Sequence, residues 1–138
     1  MGSVTDMGLL NIFKSEDEKE DYKIRLQKVQ ELDDEKALAE IAQSDPNVKV
    51  RIRAVEKITS EKTLTRIALN DSNVKVRMSA IGKIRDENTL AEIALNDSNV
   101  KVRACAVERI RDESILNIIA RKDSNAGVRE KALRKISK

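Results

Sequence analysis

One eight-residue segment returns at a fixed interval, and that return restricts the chain to a stack of similar units. SDPNVKVR begins at Ser44, NDSNVKVR at Asn70 and again at Asn96, and KDSNAGVR at Lys122, a spacing of 26 residues each time. Four complete units follow, at 33–58, 59–84, 85–110 and 111–136. Units two and three share 16 of 26 residues, too many for coincidence. Stepping back once more, residues 21–32 (DYKIRLQKVQEL) align with the second half of a unit, so a degenerate half-repeat precedes the array. Units this short cannot bury an apolar stripe alone. They become stable by covering one another, which makes a solenoid.

Each unit reads as two short helices. In the first, Leu38, Ile41 and Ala42 stand at i, i+3, i+4, and the pattern recurs at Leu64, Leu90 and Leu116. Asp34, Ser60, Asp86 and Asp112 precede these stretches as N-caps. In the second, Val50, Ala54 and Ile58 recur at i, i+4, i+8, with Asn47, Asn73, Asn99 and Asn125 as N-caps. The SDPN and NDSN tetrads supply turn chemistry between the helices. The expected fold is therefore all-α: a right-handed α-solenoid of stacked two-helix repeats with a 26-residue period. Residues 1–20 form an N-terminal tail, with a short first helix expected at 9–14 and a charged connection at 15–20. Met7 reads as a natural start, so Met1–Asp6 stays outside the fold argument. Polar end caps are expected: Gln43 and Arg121 replace the Leu69 and Leu95 of inner units, and Lys28 replaces the small Ala54.

Composition excludes several classes of chemistry. The 138 residues include no His, no Trp and one Cys. No imidazole base, intrachain disulfide or multi-cysteine metal site is available from such a chain. Four Gly are too few for a glycine-rich phosphate loop, and no such motif occurs. No catalytic residue, metal ligand or cofactor is expected, and the chain reads as not an enzyme. Net charge is +3 over 27 basic and 24 acidic residues, a mixed surface and not a polycation. The lone Cys and the lack of an export signal or membrane span point to the cytoplasm.

The stretch DPNVKVRIRAVEKI at 45–58 and its three copies resemble the second helix of short HEAT-like repeats, over about 21–138. LAEIALND followed by VKVR is also similar to the leucine-rich repeat variant, in which one helix is 3₁₀; two turns or more of apolar periodicity favour α for both. The HEAT-like resemblance implies a hydrogen-bonded ladder between repeats from Asp45, Asp71, Asp97 and Asp123 to Arg51, Arg77, Arg103 and Arg129. On a helical wheel these Arg fall on the buried side, so pairing with a turn Asp is expected in place of phosphate binding. The resemblance also implies a concave surface lined by the second helices.

Candidate binding residues lie on that second-helix surface. Lys49, Lys75 and Lys101, with Lys23 before them, fall opposite the apolar stripe, and Arg53 shares their sector. Ile52 and Met78, with Leu26 and Ala104, stand beside the row as either a groove floor or an edge of the core. Cys105 reads as an outward thiol, reactive only if Lys101 favours the thiolate. Gly82 interrupts a helix where other units carry Glu56 and Glu108. These features support a non-enzymatic scaffold that binds an unidentified protein partner. A nucleic-acid-binding module using the same lysines is the alternative, weakened by the shortage of rings for stacking. A monomer without membrane contact is expected, with end-to-end association as the open variant.

Overall fold

Each helix from residue 35 onward starts where a side-chain oxygen takes over hydrogen bonds that the helix itself cannot supply. In the computed structural model, residues 21–137 are described, and the segments expected at 9–14 and 15–20 lie outside them. The first helical segment, α1, runs to residue 31. It is followed by α2 (Glu35–Ser44), α3 (Val48–Lys57), α4 (Glu61–Asn70), α5 (Val74–Ile81), α6 (Glu87–Asn96), α7 (Val100–Arg109), α8 (Glu113–Lys122) and α9 (Ala126–Ile136). Asp34, Ser60, Asp86 and Asp112 cap the first helices, and Asn47, Asn73, Asn99 and Asn125 cap the second, as the repeat predicts. No strand occurs among the described residues. None of their helices is long and apolar enough to cross a membrane.

The helices pair as α2 with α3, α4 with α5, α6 with α7 and α8 with α9, and the pairs stack in chain order. Contacts between stacked pairs run mainly through the second helices, α3 to α5 to α7 to α9, while the first helices touch one another lightly. Ala54, Ala80, Ala106 and Ala132 are fully buried in the second helices and let neighbouring backbones approach. Around them, Ile58, Ile84 and Ile110 have no exposed surface. Each such side chain contributes about 1.5–3 kcal/mol by leaving water. One continuous apolar core runs from Val29 to Ala132.

Lys28 is exposed on α1, as expected for a lysine in the place of a buried alanine. The other expected capping sign fails. Leu69 and Leu95 remain 36 % and 40 % exposed inside the stack, so Gln43 and Arg121 replace surface residues and cap nothing. Gly82 ends α5 at Ile81, two residues shorter than α3 and α7. Its φ of −58° is ordinary for any residue, and an added Cβ would meet Ser79 O at 3.5 Å, normal contact. Nothing requires glycine there. We predict that Gly82→Ala raises stability by about 0.5–1 kcal/mol, read as a higher urea midpoint.

Candidate interaction face

The second helices are fixed in rotation before any partner is considered. Asn73 Oδ1 accepts the N–H groups of Lys75 and Val76 at 2.8 and 3.3 Å, and Asn47 and Asn99 do the same in their repeats. Each turn Asp then ties its repeat to the preceding one. Arg25 reaches Asp45 at 2.7 Å, Arg51 reaches Asp71 at 3.1 Å, Arg77 reaches Asp97 at 3.0 Å and Arg103 reaches Asp123 at 2.9 Å. The fork is bidentate, with a second nitrogen on the other carboxylate oxygen. Another guanidinium nitrogen donates to the carbonyl of the Asp in the same repeat, for example Arg77 to Asp71 O at 2.8 Å. Arg129 makes this second bond, to Asp123 O at 2.7 Å. Burial acts to raise the Asp123 carboxyl. The Arg103 guanidinium and the Asn125 N–H outweigh it and hold the group below the usual carboxylate range. These Arg are internal fasteners, and Arg51, Arg77 and Arg103 are buried.

Two further sets of inter-repeat bonds escape a reading of the sequence by helical wheel. Lys57 Nζ donates to the carbonyls of Val29, Gln30 and Leu32, and Lys83 Nζ to those of Val55, Glu56 and Ile58. Arg109 holds Ile84 O at 2.9 Å, and Lys135 holds Glu108 O at 2.6 Å. Each basic residue thus neutralises the open carbonyl end of the preceding second helix. At the other edge, Glu35 accepts the N–H groups of Thr59 and Ser60, Glu61 those of Arg85 and Asp86, and Glu87 those of Arg111 and Asp112. The Thr59 N–H leads the groups that pull the Glu35 carboxyl below its ordinary value, against a smaller push from burial. The signal for both sets was the 26-residue recurrence of one charge sign at one position.

The predicted binding residues divide once these fasteners are subtracted. Lys49, Lys75 and Lys101 are exposed on α3, α5 and α7. None has a carboxylate partner among the described residues; Lys49 lies 5.9 Å from the centre of the Tyr22 ring. Arg53 separates from the row. It donates to Gln30 Oε1 at 2.6 Å and pairs with Glu56 at 3.4 Å, so the fold already uses it. Leu26, Ile52, Met78 and Ala104 are half-buried and pack against the core, leaving one edge of each at the surface beside the lysines. Cys105 is half-buried against the same core, not outward as the wheel suggests. Burial raises its thiol pKa over the opposing Arg109 and Lys131 charges, which keeps it protonated.

Comparison of the chain with protein-family models, with curated proteins and with solved structures gives no match. The described residues include no group of three or more His, Cys, Asp or Glu placed to hold a metal ion. What the face offers is a row of exposed ammonium groups, one per repeat, with half-buried apolar residues on the same helices.

Proposed function

We propose that the chain is a non-enzymatic HEAT-like scaffold of the cytoplasm that binds an acidic protein segment along its second-helix face. The observation that carries this reading is the contrast among its basic residues. Lys57, Lys83 and Arg109 are consumed by carbonyls, and Arg51, Arg77 and Arg103 by turn aspartates. Lys49, Lys75 and Lys101 recur just as regularly with no carboxylate among the described residues to hold them. The crowding of the second helices supports their placement on the inner, concave side, since the inner layer of a curved stack has the closer contacts.

Packed helices lie about 8–10 Å apart, which sets the spacing of the row. Carboxylates at every seventh residue of a partner helix, about 10.5 Å apart at 1.5 Å per residue, match it. Ile52 and Met78 take the apolar side chains between them. Nucleic acid is the second reading, favoured by the same three lysines. Its salt dependence would be steep, and Tyr22 is the one aromatic ring among the described residues, too few for a stacking platform.

The test is capture of a protein partner from lysate treated with nuclease, followed by the variant Lys49→Glu, Lys75→Glu, Lys101→Glu. We predict unchanged helicity and a loss of affinity of about tenfold, since three exposed pairs at about 0.5 kcal/mol each come to about 1.5 kcal/mol. Equal affinity of variant and parent would remove the row from the site. Capture that vanishes with nuclease would transfer it to nucleic acid.

A further inference from the structure

The charge of the chain is divided unevenly along its length. Residues 1–20 carry a net charge of −3 and residues 21–138 carry +6, so the total of +3 hides two opposed parts. The negative part is concentrated at 15–20, where Glu16, Asp17, Glu18 and Glu20 stand against one base, Lys19. The positive part includes the lysine row. Lys49, Lys75 and Lys101 are exposed without a carboxylate among the described residues, and Lys23, one period earlier on α1, is exposed as well.

The acidic run joins the stack at the edge that carries the row. Each of the three lysines is the second residue of its helix: α3 starts at Val48, α5 at Val74 and α7 at Val100. The row therefore follows the edge along which the second helices begin. The run enters α1 at that same edge, since residue 20 directly precedes the described part of α1 and Lys23 follows three residues later. Packed helices lie about 8–10 Å apart, which puts Lys49 and Lys75 about 10 and 20 Å along the edge from Lys23. Six residues of extended chain span about 20 Å at about 3.3 Å each. The run is thus tethered at the head of the row and long enough to pass Lys49 and reach Lys75. A short tether holds such a segment at an effective concentration of about millimolar, so weak pairs suffice.

We propose that residues 15–20 lie along the lysine row and compete there with the acidic partner, an autoinhibitory contact carried by the chain itself. The inference rests on the reading of this row as a binding face. Several other bases near the entry are already committed. Arg25 pairs with Asp45, Arg53 holds Gln30, and Lys57 holds the carbonyls of Val29, Gln30 and Leu32. Each pair between the run and the row is exposed and weak, so the contact is reversible and screened by salt. The run has no apolar residue to place on the half-buried Ile52 and Met78. A partner that brings apolar side chains as well as carboxylates therefore displaces it, and a partner with charge alone has to outcompete it.

Two measurements on the full chain test the proposal. In the first, a nitroxide is attached at Ser15→Cys after the native thiol is removed by Cys105→Ser, the residue that the preceding repeat carries as Ser79. At low salt the label is expected to broaden the amide signal of Val76, on α5, and to leave that of Lys62, on α4, sharp. The broadening should vanish at about 1 M salt, where the screening length is about 3 Å, and in Lys49→Glu, Lys75→Glu, Lys101→Glu. In the second, a fluorescent polyglutamate peptide is titrated onto the parent and onto Glu16→Gln, Asp17→Asn, Glu18→Gln, Glu20→Gln. The neutralised chain is expected to bind about threefold more tightly at low salt, because a larger fraction of its row is open. No broadening at Val76 overturns the proposal, and so does broadening that persists at about 1 M salt, since charge would then not hold the run. Equal peptide affinity for the two chains overturns the competition and spares the reading of the row as a binding face. Failure of the peptide to bind either chain overturns both.

Discussion

Arg77→Ala is expected to lose about 3–5 kcal/mol of stability, the cost of removing one partner from a buried ion pair. The guanidinium spans two repeats, with Asp97 carboxylate oxygens at 3.0 and 3.2 Å and Asp71 O at 2.8 Å. After truncation, the Asp97 side chain, only 8 % exposed, keeps the Asn99 N–H and loses its counter-charge. The Asp71 carbonyl loses its donor as well. Most of the cost is the charge left behind, so Arg77→Lys should recover little. A single ammonium cannot form the two parallel bonds and the third to the carbonyl. Urea unfolding followed by circular dichroism gives the midpoint for parent, Arg77→Ala and Arg77→Lys. A midpoint for Arg77→Ala equal to the parent's would remove the ladder from the account of stability. The central position sharpens the test, because a solenoid is held only through nearest neighbours. Weakening the junction at Arg77 should uncouple the two halves and broaden the transition as well as shift it.

The architecture was legible because one period governs everything at once. Where Val50, Ala54 and Ile58 recur after 26 residues, burial, capping and turn chemistry recur with them, and each check supports the others. The Arg ladder was legible for the same reason, since a charge inside an apolar stripe has to meet an opposite charge. What escaped was whatever depends on distance between repeats. Lys83 lies just past the end of its helix, where a basic residue is expected merely to complement the helix dipole. Only the stack shows that it crosses to the helix before. Leu69 and Leu95 misled in the opposite direction: hydrophobic residues in a repeated position look like core, yet the helix end leaves them at the surface. Arg53 looked like part of the lysine row until Gln30, 23 residues earlier, took its guanidinium. Sequence spacing gives the direction of a side chain, but its partner comes from the neighbouring repeat.

The carbonyl-gripping lysines give the second large effect, and here the comparison lies inside the protein. Lys83 Nζ is 2.6 Å from both Glu56 O and Ile58 O and 3.2 Å from Val55 O. These carbonyls lie at the end of α3, where no further turn follows; Val55 O also accepts the Ile58 N–H at 3.1 Å. Lys83→Met keeps the length of the aliphatic stem and removes only the ammonium. The expected loss is about 2–3 kcal/mol, in the range for hydrogen bonds to a charged group, with water replacing part of the contact at the exposed Glu56. Lys62→Met supplies the control: Lys62 is exposed on α4 and has no partner among the described residues, so its change should stay within about 0.5 kcal/mol. Lys83→Arg should retain most of the parent stability, because Arg109 fills the same position one repeat later and holds Ile84 O with two nitrogens, at 2.9 and 3.3 Å. Urea midpoints for the three variants separate the explanations. If Lys83→Met and Lys62→Met fall together, the loss reflects charge or solubility and not the carbonyls. If Lys83→Met alone falls and Lys83→Arg does not, each repeat closes the helix that precedes it. The repeats then depend on their neighbours for hydrogen bonding as well as for apolar cover.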